Sequence, residues 1–283
     1  MMKKWLAMAM AMMMLGAVVT GCGSSETSTS GTDTSASTSD EGNSSETPNV
    51  DKIKEAGKIV MATNAAFPPF EYISGGVVSG VDADIAAEIA KDLGVELEIS
   101  DMDFDAIIPA VKNGQADFGA AGMTIRPDRQ EQVDFSMEYV KSAQYVIVPK
   151  GSGYTADDLA DLLIGVQRGT TGDIYCTDEI KQDPNTEEVM RYTNAIVAAQ
   201  DLMNGKCDAV VIDKLPAESI VKQNSDKLEL LPEPLTEESY AIAVKKGNQD
   251  VVDAINATLQ RLIDEGKIDA LVEEHVNNAS IDG

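Results

Sequence analysis

The chain has 283 residues, with 48 acidic against 22 basic side chains and a formal charge of −26. Phosphate recognition needs clustered Lys and Arg, so so acidic a surface excludes nucleic acid as a partner and serves solubility instead. A single histidine, His275 in Glu273-Glu274-His275, excludes a two-histidine zinc site and a histidine-based triad; it reads as an ordinary helix residue, and neither a metal, a cofactor nor a catalytic group is expected.

The N-terminus has the layout of a secretory signal: Lys3 and Lys4, an apolar run of 15 residues from Trp5 to Val19, and small residues before Cys22. The run is too short to span a bilayer comfortably. Val19-Thr20-Gly21-Cys22 resembles the lipobox of bacterial lipoproteins, which implies removal of residues 1–21, lipid on Cys22 and an extracytoplasmic, membrane-anchored protein. Residues 22–50, mostly Ser, Thr, Gly and acidic side chains, cannot offset the entropy of ordering and read as a tether reaching on the order of 30 Å.

From Asp51 onward, 233 residues suffice for two lobes. Short β-rich runs alternate with helical patterns: Lys58-Thr63, Asp82-Leu93, Glu96-Ile99, Asp105-Asn113, Ala116-Ala120, Tyr145-Val148, Leu163-Val166, Thr193-Asn204, Asp208-Ile212, Ala241-Val244 and Asp250-Glu265. That rhythm predicts an α/β fold with mainly parallel strands. Ile85, Ile89 and Leu93 share one helix face, as do Val251, Ile255, Leu259 and Leu262. Cys176 and Cys207 could pair in an oxidising exterior or remain buried thiols.

A faint repeat lies inside this rhythm. Residues 107–117 and 198–208, offset by 91, each carry a helix, an Asn-Gly stop (Asn113-Gly114, Asn204-Gly205) and an Asp before an apolar strand (Asp117, Asp208). At the same offset Gly122 and Asp213 fall at the far ends of the two following strands. Ligands of open parallel sheets bind beyond the carboxyl ends of strands, so these residues are expected on opposite walls of one cleft.

Two enzyme-like motifs fail. Gly151-Ser152-Gly153-Tyr154-Thr155-Ala156 has the glycine spacing of a dinucleotide site, but Asp157 and Asp158 crowd the place of a pyrophosphate. Asp101-Met102-Asp103-Phe104-Asp105 imitates a calcium loop, but Ala106 replaces the turn glycine and Lys112 the closing Glu. What remains suits a zwitterion. Gly169-Thr170-Thr171-Gly172 offers N–H groups and hydroxyls to an anion; Ala121-Gly122-Met123-Thr124 and the fork of Arg129 can grip a carboxylate; Asp213 supplies the opposite charge.

The stretches Lys58-Ile59-Val60-Met61-Ala62-Thr63-Asn64 with Phe67-Pro68-Pro69-Phe70-Glu71-Tyr72, Asp103-Phe104-Asp105-Ala106-Ile107-Ile108-Pro109-Ala110, Ala121-Gly122-Met123-Thr124-Ile125 with Arg129 and Val133-Asp134-Phe135-Ser136, Gly169-Thr170-Thr171-Gly172, Asp208-Ala209-Val210-Val211-Ile212-Asp213 and Pro234-Leu235-Thr236-Glu237-Glu238 closely resemble the polar amino-acid-binding proteins of ABC importers, bacterial solute-binding protein family 3. The resemblance covers essentially all of 51–283. It implies a two-lobed, periplasmic-binding-protein-like (type II) Venus flytrap, with 51–139 and 241–283 in the first lobe, 140–240 in the second, and hinge strands near Tyr139-Ala143 and Glu237-Ala241. It further implies an α-carboxylate held by Arg129 and backbone groups of Thr124 and Thr171. The α-ammonium would be held by Asp213, Gly122 and the Thr124 hydroxyl, with Phe67 and Phe104 sandwiching the ligand side chain. The implied partners are a free L-amino acid and an ABC permease with its ATPase, and a monomer is expected.

Asn64 stands where many binders of basic and amide amino acids carry Asp. Its neutrality favours a neutral polar ligand such as glutamine, with Asn64 and Gln167 as amide partners, over a basic one, unless nearby Glu71 supplies the carboxylate. His275-Val276 replaces an aromatic pair common at the family's end. A ligand-sensing receptor role and a dehydratase on the same scaffold are the competing readings; a dehydratase would need a proton donor in the cleft and no Asp213. Ala121 and Thr170 complete the expected site.

Overall fold

The computed structural model describes residues 49–184 and 187–278, so the signal, Cys22 and nearly all of the tether lie outside the described residues. Asn49 and Val50, expected as tether, instead open the helix Asn49–Ala56. They are tied down from elsewhere in the sequence: Asp250 accepts the Val50 N–H at 2.8 Å, and Ile53 is buried beneath.

Two five-stranded sheets organise the chain. The first runs, edge to edge, Glu96–Asp101, Lys58–Thr63, Phe118–Gly119, Ala243–Lys245 and Val133–Phe135. The second runs Val189–Tyr192, Ile164–Gln167, Ala209–Asp213, Gln144–Pro149 and Leu228–Leu230. Three neighbouring strands in each are parallel, but Ala243–Lys245 and Gln144–Pro149 run against their neighbours, so the sheets are mixed rather than mainly parallel. Both reversed strands follow directly after crossings between the lobes. The apolar pattern of a strand is the same in either direction, so its sequence gives no sign of the reversal.

The crossings are the strands Val140–Ser142 and Glu238–Tyr240, paired antiparallel with Tyr240 opposite Val140. The helix Val81–Leu93 buries Ile85 and Ile89 and stops at Gly94, whose φ of 75° is costly for a residue with a Cβ. Against it lies Gln249–Asp264, which buries Val251, Val252, Ile255, Leu259 and Leu262. Arg261 fastens the two helices through Glu88 (2.7 Å) and Asp92 (2.8 Å).

The repeat extends to individual hydrogen bonds. Gly114 and Gly205 take φ of 72° and 70°. Beyond them Asp117 Oδ2 accepts the Val60 N–H at 2.7 Å and Asp208 Oδ2 accepts the Leu163 N–H at 3.0 Å, each clamping the entry to the adjacent parallel strand. The sequence motif therefore marks one device used once per lobe.

Two side chains depart from expectation. Cys176 and Cys207 are free, buried and in separate apolar clusters, so the disulfide alternative is not formed. Burial pushes their thiols up to about 12 and about 11, which keeps them unreactive. His275 is no ordinary helix residue: buried on the helix Lys267–Asn278, it bonds Tyr72 Oη at 3.0 Å and Asp84 Oδ2 at 2.9 Å, fixing that helix to the strand Glu71–Ser74.

Candidate functional site

A cavity lies where the carboxyl ends of the parallel strands of the two sheets meet. All eleven residues expected at the site line it, and Glu71 joins them. On the first lobe, Asn64 directly follows the strand Lys58–Thr63, Phe67 is paired with Glu71 in a small hairpin, and Phe104 begins the helix Phe104–Lys112. Ala121 and Gly122 follow Phe118–Gly119. Gly122 is left-handed (φ 53°), its N–H donates to Asp82 Oδ2 at 2.9 Å, and a Cβ there would come within 2.7 Å of the Phe67 ring.

Arg129 is buried in the turn Pro127–Gln130. Its guanidinium donates to Thr124 O at 2.8 Å and Gly169 O at 3.1 Å, and lies 5.3 Å from the centre of the Phe104 ring. Burial pulls its pKa down to about 10, against the pull of Asp128, Glu238 and Asp213. It stays charged at neutral pH, with carbonyls rather than a carboxylate as its direct partners. A ligand carboxylate would find there a desolvated cation with a planar fork.

On the second lobe, Gln167 ends the strand Ile164–Gln167 and Thr171 begins a helix capped by Thr170, whose hydroxyl accepts the Asp173 N–H. Asp173 braces this loop: its carboxylate accepts from Gly169 N at 3.0 Å and from Arg191 Nε at 2.9 Å. Asp213 stands at the N-cap of Lys214–Gln223, yet its side chain does not cap the helix. It accepts from Tyr240 Oη at 2.6 Å and Ser142 Oγ at 3.2 Å on the hinge strands. Burial, then the charge of Glu238, push its pKa up to about 7, against the hydrogen bonds of Tyr240, Gln144 and Ser142.

Two more buried acids stand near Asp213: Glu71 on the cavity wall and Asp82 behind it. Glu71 is essentially inaccessible, and burial, then the charge of Asp82 and a hydrogen bond to it, push its pKa well above the carboxylate range. Asp82 is raised to about 6 by burial, opposed by hydrogen bonds from Tyr139 Oη (2.7 Å) and Gly122 N and by its contact with Glu71. A cation entering this cavity would relieve the crowding of carboxyls.

Contacts across the cavity join the lobes. Gln167 Nε2 donates to Asn64 Oδ1 at 3.0 Å, Arg129 reaches Gly169 as above, and Arg168 pairs with Asp105 at 3.7 Å. Asp82, Tyr139, Ser142, Gln144, Asp173, Arg191, Glu238 and Tyr240, which orient the lining residues, were missed in the sequence. Asp117 and Asp208 had a motif to mark them; these eight sit at positions where nothing in local pattern separates a buried brace from a surface residue.

Known proteins match this architecture along most of the chain. A probable histidine-binding protein of Neisseria gonorrhoeae is 32% identical over 281 residues, 97% of this chain and 96% of its own. The arginine-binding extracellular protein of Bacillus subtilis is 31% identical, covering 76% and 84% of the two chains. Among solved structures, an amino acid ABC transporter substrate-binding protein from Streptococcus pneumoniae, bound to L-arginine, superposes with a TM-score of 0.76 at 32% identity, covering 82% of this chain and 100% of that one. The sequence pattern of one family also matches residues 59–278, and with the two mixed sheets, the paired hinge strands and the lined cavity between them, it shows that the chain belongs to the bacterial extracellular solute-binding proteins, family 3.

Proposed function

We propose that this protein captures a free L-amino acid outside the cytoplasm and delivers it to an ABC importer, and that the preferred amino acid has a cationic side chain, arginine foremost. The observation that carries the reading is the placing of Arg129, a desolvated cation with carbonyls for partners, in one cavity with Asp213 and Glu71. The cation suits an α-carboxylate and Asp213 an α-ammonium, so a ligand bridging the two binds the closed lobes better than the open ones.

This reverses the order of ligands expected from the sequence, where the neutral Asn64 favoured glutamine over a basic amino acid. Glu71 adds the carboxyl that Asn64 lacks: buried on the cavity wall beside Asp82 and held towards its protonated form there, it would be drawn to ionise by an entering ammonium or guanidinium. The histidine- and arginine-binding relatives support the same ranking. That the relatives are binding proteins supports a reading in which binding leaves the amino acid unaltered.

A thermal-shift screen of the amino acids tests the reading. Arginine at about 100 times its dissociation constant should add about 2.7 kcal/mol of stability. No shift with any amino acid would sink the proposal, glutamine ahead of arginine, lysine and histidine would overturn the side-chain class, and conversion of the recovered ligand would point to an enzyme. The lipid anchor rests on Cys22: Cys22→Ser should release the protein from the membrane fraction, and an unaltered distribution would contradict it.

A further inference from the structure

On the hinge strand Glu238–Tyr240, one carboxylate oxygen is shared between the lobes. Glu238 Oε2 accepts the Thr124 hydroxyl of the first lobe at 2.6 Å and the Thr171 hydroxyl of the second at 2.8 Å, while Oε1 accepts from Thr236 at 3.1 Å. Thr124 and Thr171 both line the cavity; Glu238 does not. A threonine hydroxyl carries one hydrogen. With that hydrogen committed to Glu238, each hydroxyl meets the cavity only as an acceptor. Thr171 Oγ1 already works in this sense, accepting from Gln144 Nε2 at 3.1 Å.

We infer that Glu238 is a positioning residue that fixes the Thr124 and Thr171 hydroxyls as acceptors, so that the cavity selects a ligand presenting a fully protonated amine over one presenting a hydroxyl at the same place. The inference rests on the amino-acid reading above and deepens it. An ammonium has three hydrogens to give, and it meets the Asp213 carboxylate and an acceptor hydroxyl together. A 2-hydroxy acid has one, so any second acceptor facing it is left unpaired. Without Glu238 the threonine hydroxyls turn freely and can donate to the hydroxy acid, which removes the penalty.

The test is isothermal titration of the full chain with L-arginine and with its analogue carrying hydroxyl in place of the α-amine, for the parent, Glu238→Ala and Glu238→Gln. The parent should prefer arginine by at least about a hundredfold. Glu238→Ala should bind arginine about 10- to 100-fold more weakly and narrow the preference at least about tenfold, because the hydroxy acid loses less. Glu238→Gln, whose amide oxygen can take both hydroxyls at the Oε2 position, should restore most of the preference, which a merely structural side chain would not do. Should the alanine variant fail to fold, Thr124→Val removes one of the same acceptors and should narrow the preference in the same direction. Undiminished preference in Glu238→Ala, or in Thr124→Val where the former is unfolded, overturns the role of Glu238 while leaving amino-acid binding intact; a parent that binds neither compound overturns both.

Discussion

Gln167 and Asn64 meet amide to amide inside the cavity, Gln167 Nε2 donating to Asn64 Oδ1 at 3.0 Å, so that a side chain from each lobe closes over the same space. Asn64 in turn donates through Nδ2 to Met102 O at 2.8 Å, which settles which end of its amide faces Gln167.

Asn64→Asp should therefore have two separable effects. The new carboxylate still accepts from Gln167 but faces the Met102 carbonyl without a hydrogen, so the ligand-free protein should lose about 1–3 kcal/mol by thermal or denaturant unfolding. The added charge should raise the preference for arginine over glutamine at least about tenfold in titration calorimetry. An unchanged ranking would mean that Asn64 does not meet the ligand side chain.

Gly122 tests the floor of the cavity. Its left-handed backbone and the 2.7 Å approach of a built Cβ to Phe67 leave no room for alanine unless the ring moves. Gly122→Ala should cost about 1–3 kcal/mol in stability and weaken arginine binding at least about tenfold as Phe67 is displaced. Equal affinity in the variant would argue that Phe67 is not a wall of the occupied site.

Five lining residues were legible from pattern because they sit at the ends of recognisable strands or in short motifs: Gly122 and Asp213 at a common offset, Thr170 and Thr171 after an apolar run, and Arg129 beyond the strand of the other lobe; Asn64, Phe67, Phe104 and Gln167 were reached through the family resemblance. The 91-residue offset also pointed to Asp117 and Asp208, whose matched clamps show why it exists. Strand direction was not legible, because alternation of apolar residues carries no sign for Ala243–Lys245 or Gln144–Pro149. The burial of His275 was hidden for a related reason. Its partners Tyr72 and Asp84 lie about 200 residues away, and only the tertiary fold brings them together.

The pH dependence should have opposite signs for folding and for binding. Asp213 at about 7 and Asp82 at about 6 lie above the unfolded carboxylate value of about 3.9. The native state then holds more protons than the unfolded chain, so the stability these groups contribute is full below about pH 4 and is lost as pH rises through about 7. Glu88, lowered to about 2 by its hydrogen bonds to Lys91 and Arg261, acts only in more acid solution. An amine ligand requires ionised Asp213, so its affinity should strengthen by up to about tenfold per unit from pH 6 to 7 and level off above. Melting curves and titrations between pH 5.5 and 8.5 check both, and affinity that is flat across this range would remove Asp213 from the ammonium site.

Arg129 and Asp213 reach one ligand from different lobes, so losing either should harm both affinity and closure. Arg129→Ala removes the carboxylate's partner together with the bond to Gly169 that already links the lobes. Asp213→Ala strands the ligand amine and takes from Tyr240 and Ser142 the acceptor they share, leaving Tyr240 Oη only Ser142 Oγ at 2.9 Å. Each loss should amount to about 2–5 kcal/mol, or roughly 30- to several-thousand-fold in affinity, the larger part appearing as faster release. The two variants should differ without ligand: Asp213→Ala also relieves the repulsion between Asp213 and Glu238, so its unfolding free energy should fall less than the broken hydrogen bonds alone would suggest. Small-angle scattering with saturating arginine should show the parent compact and both variants more extended. Parent-like affinity and compaction in Arg129→Ala would mean that the ligand carboxylate is held elsewhere, and would break the link drawn between grip and closure.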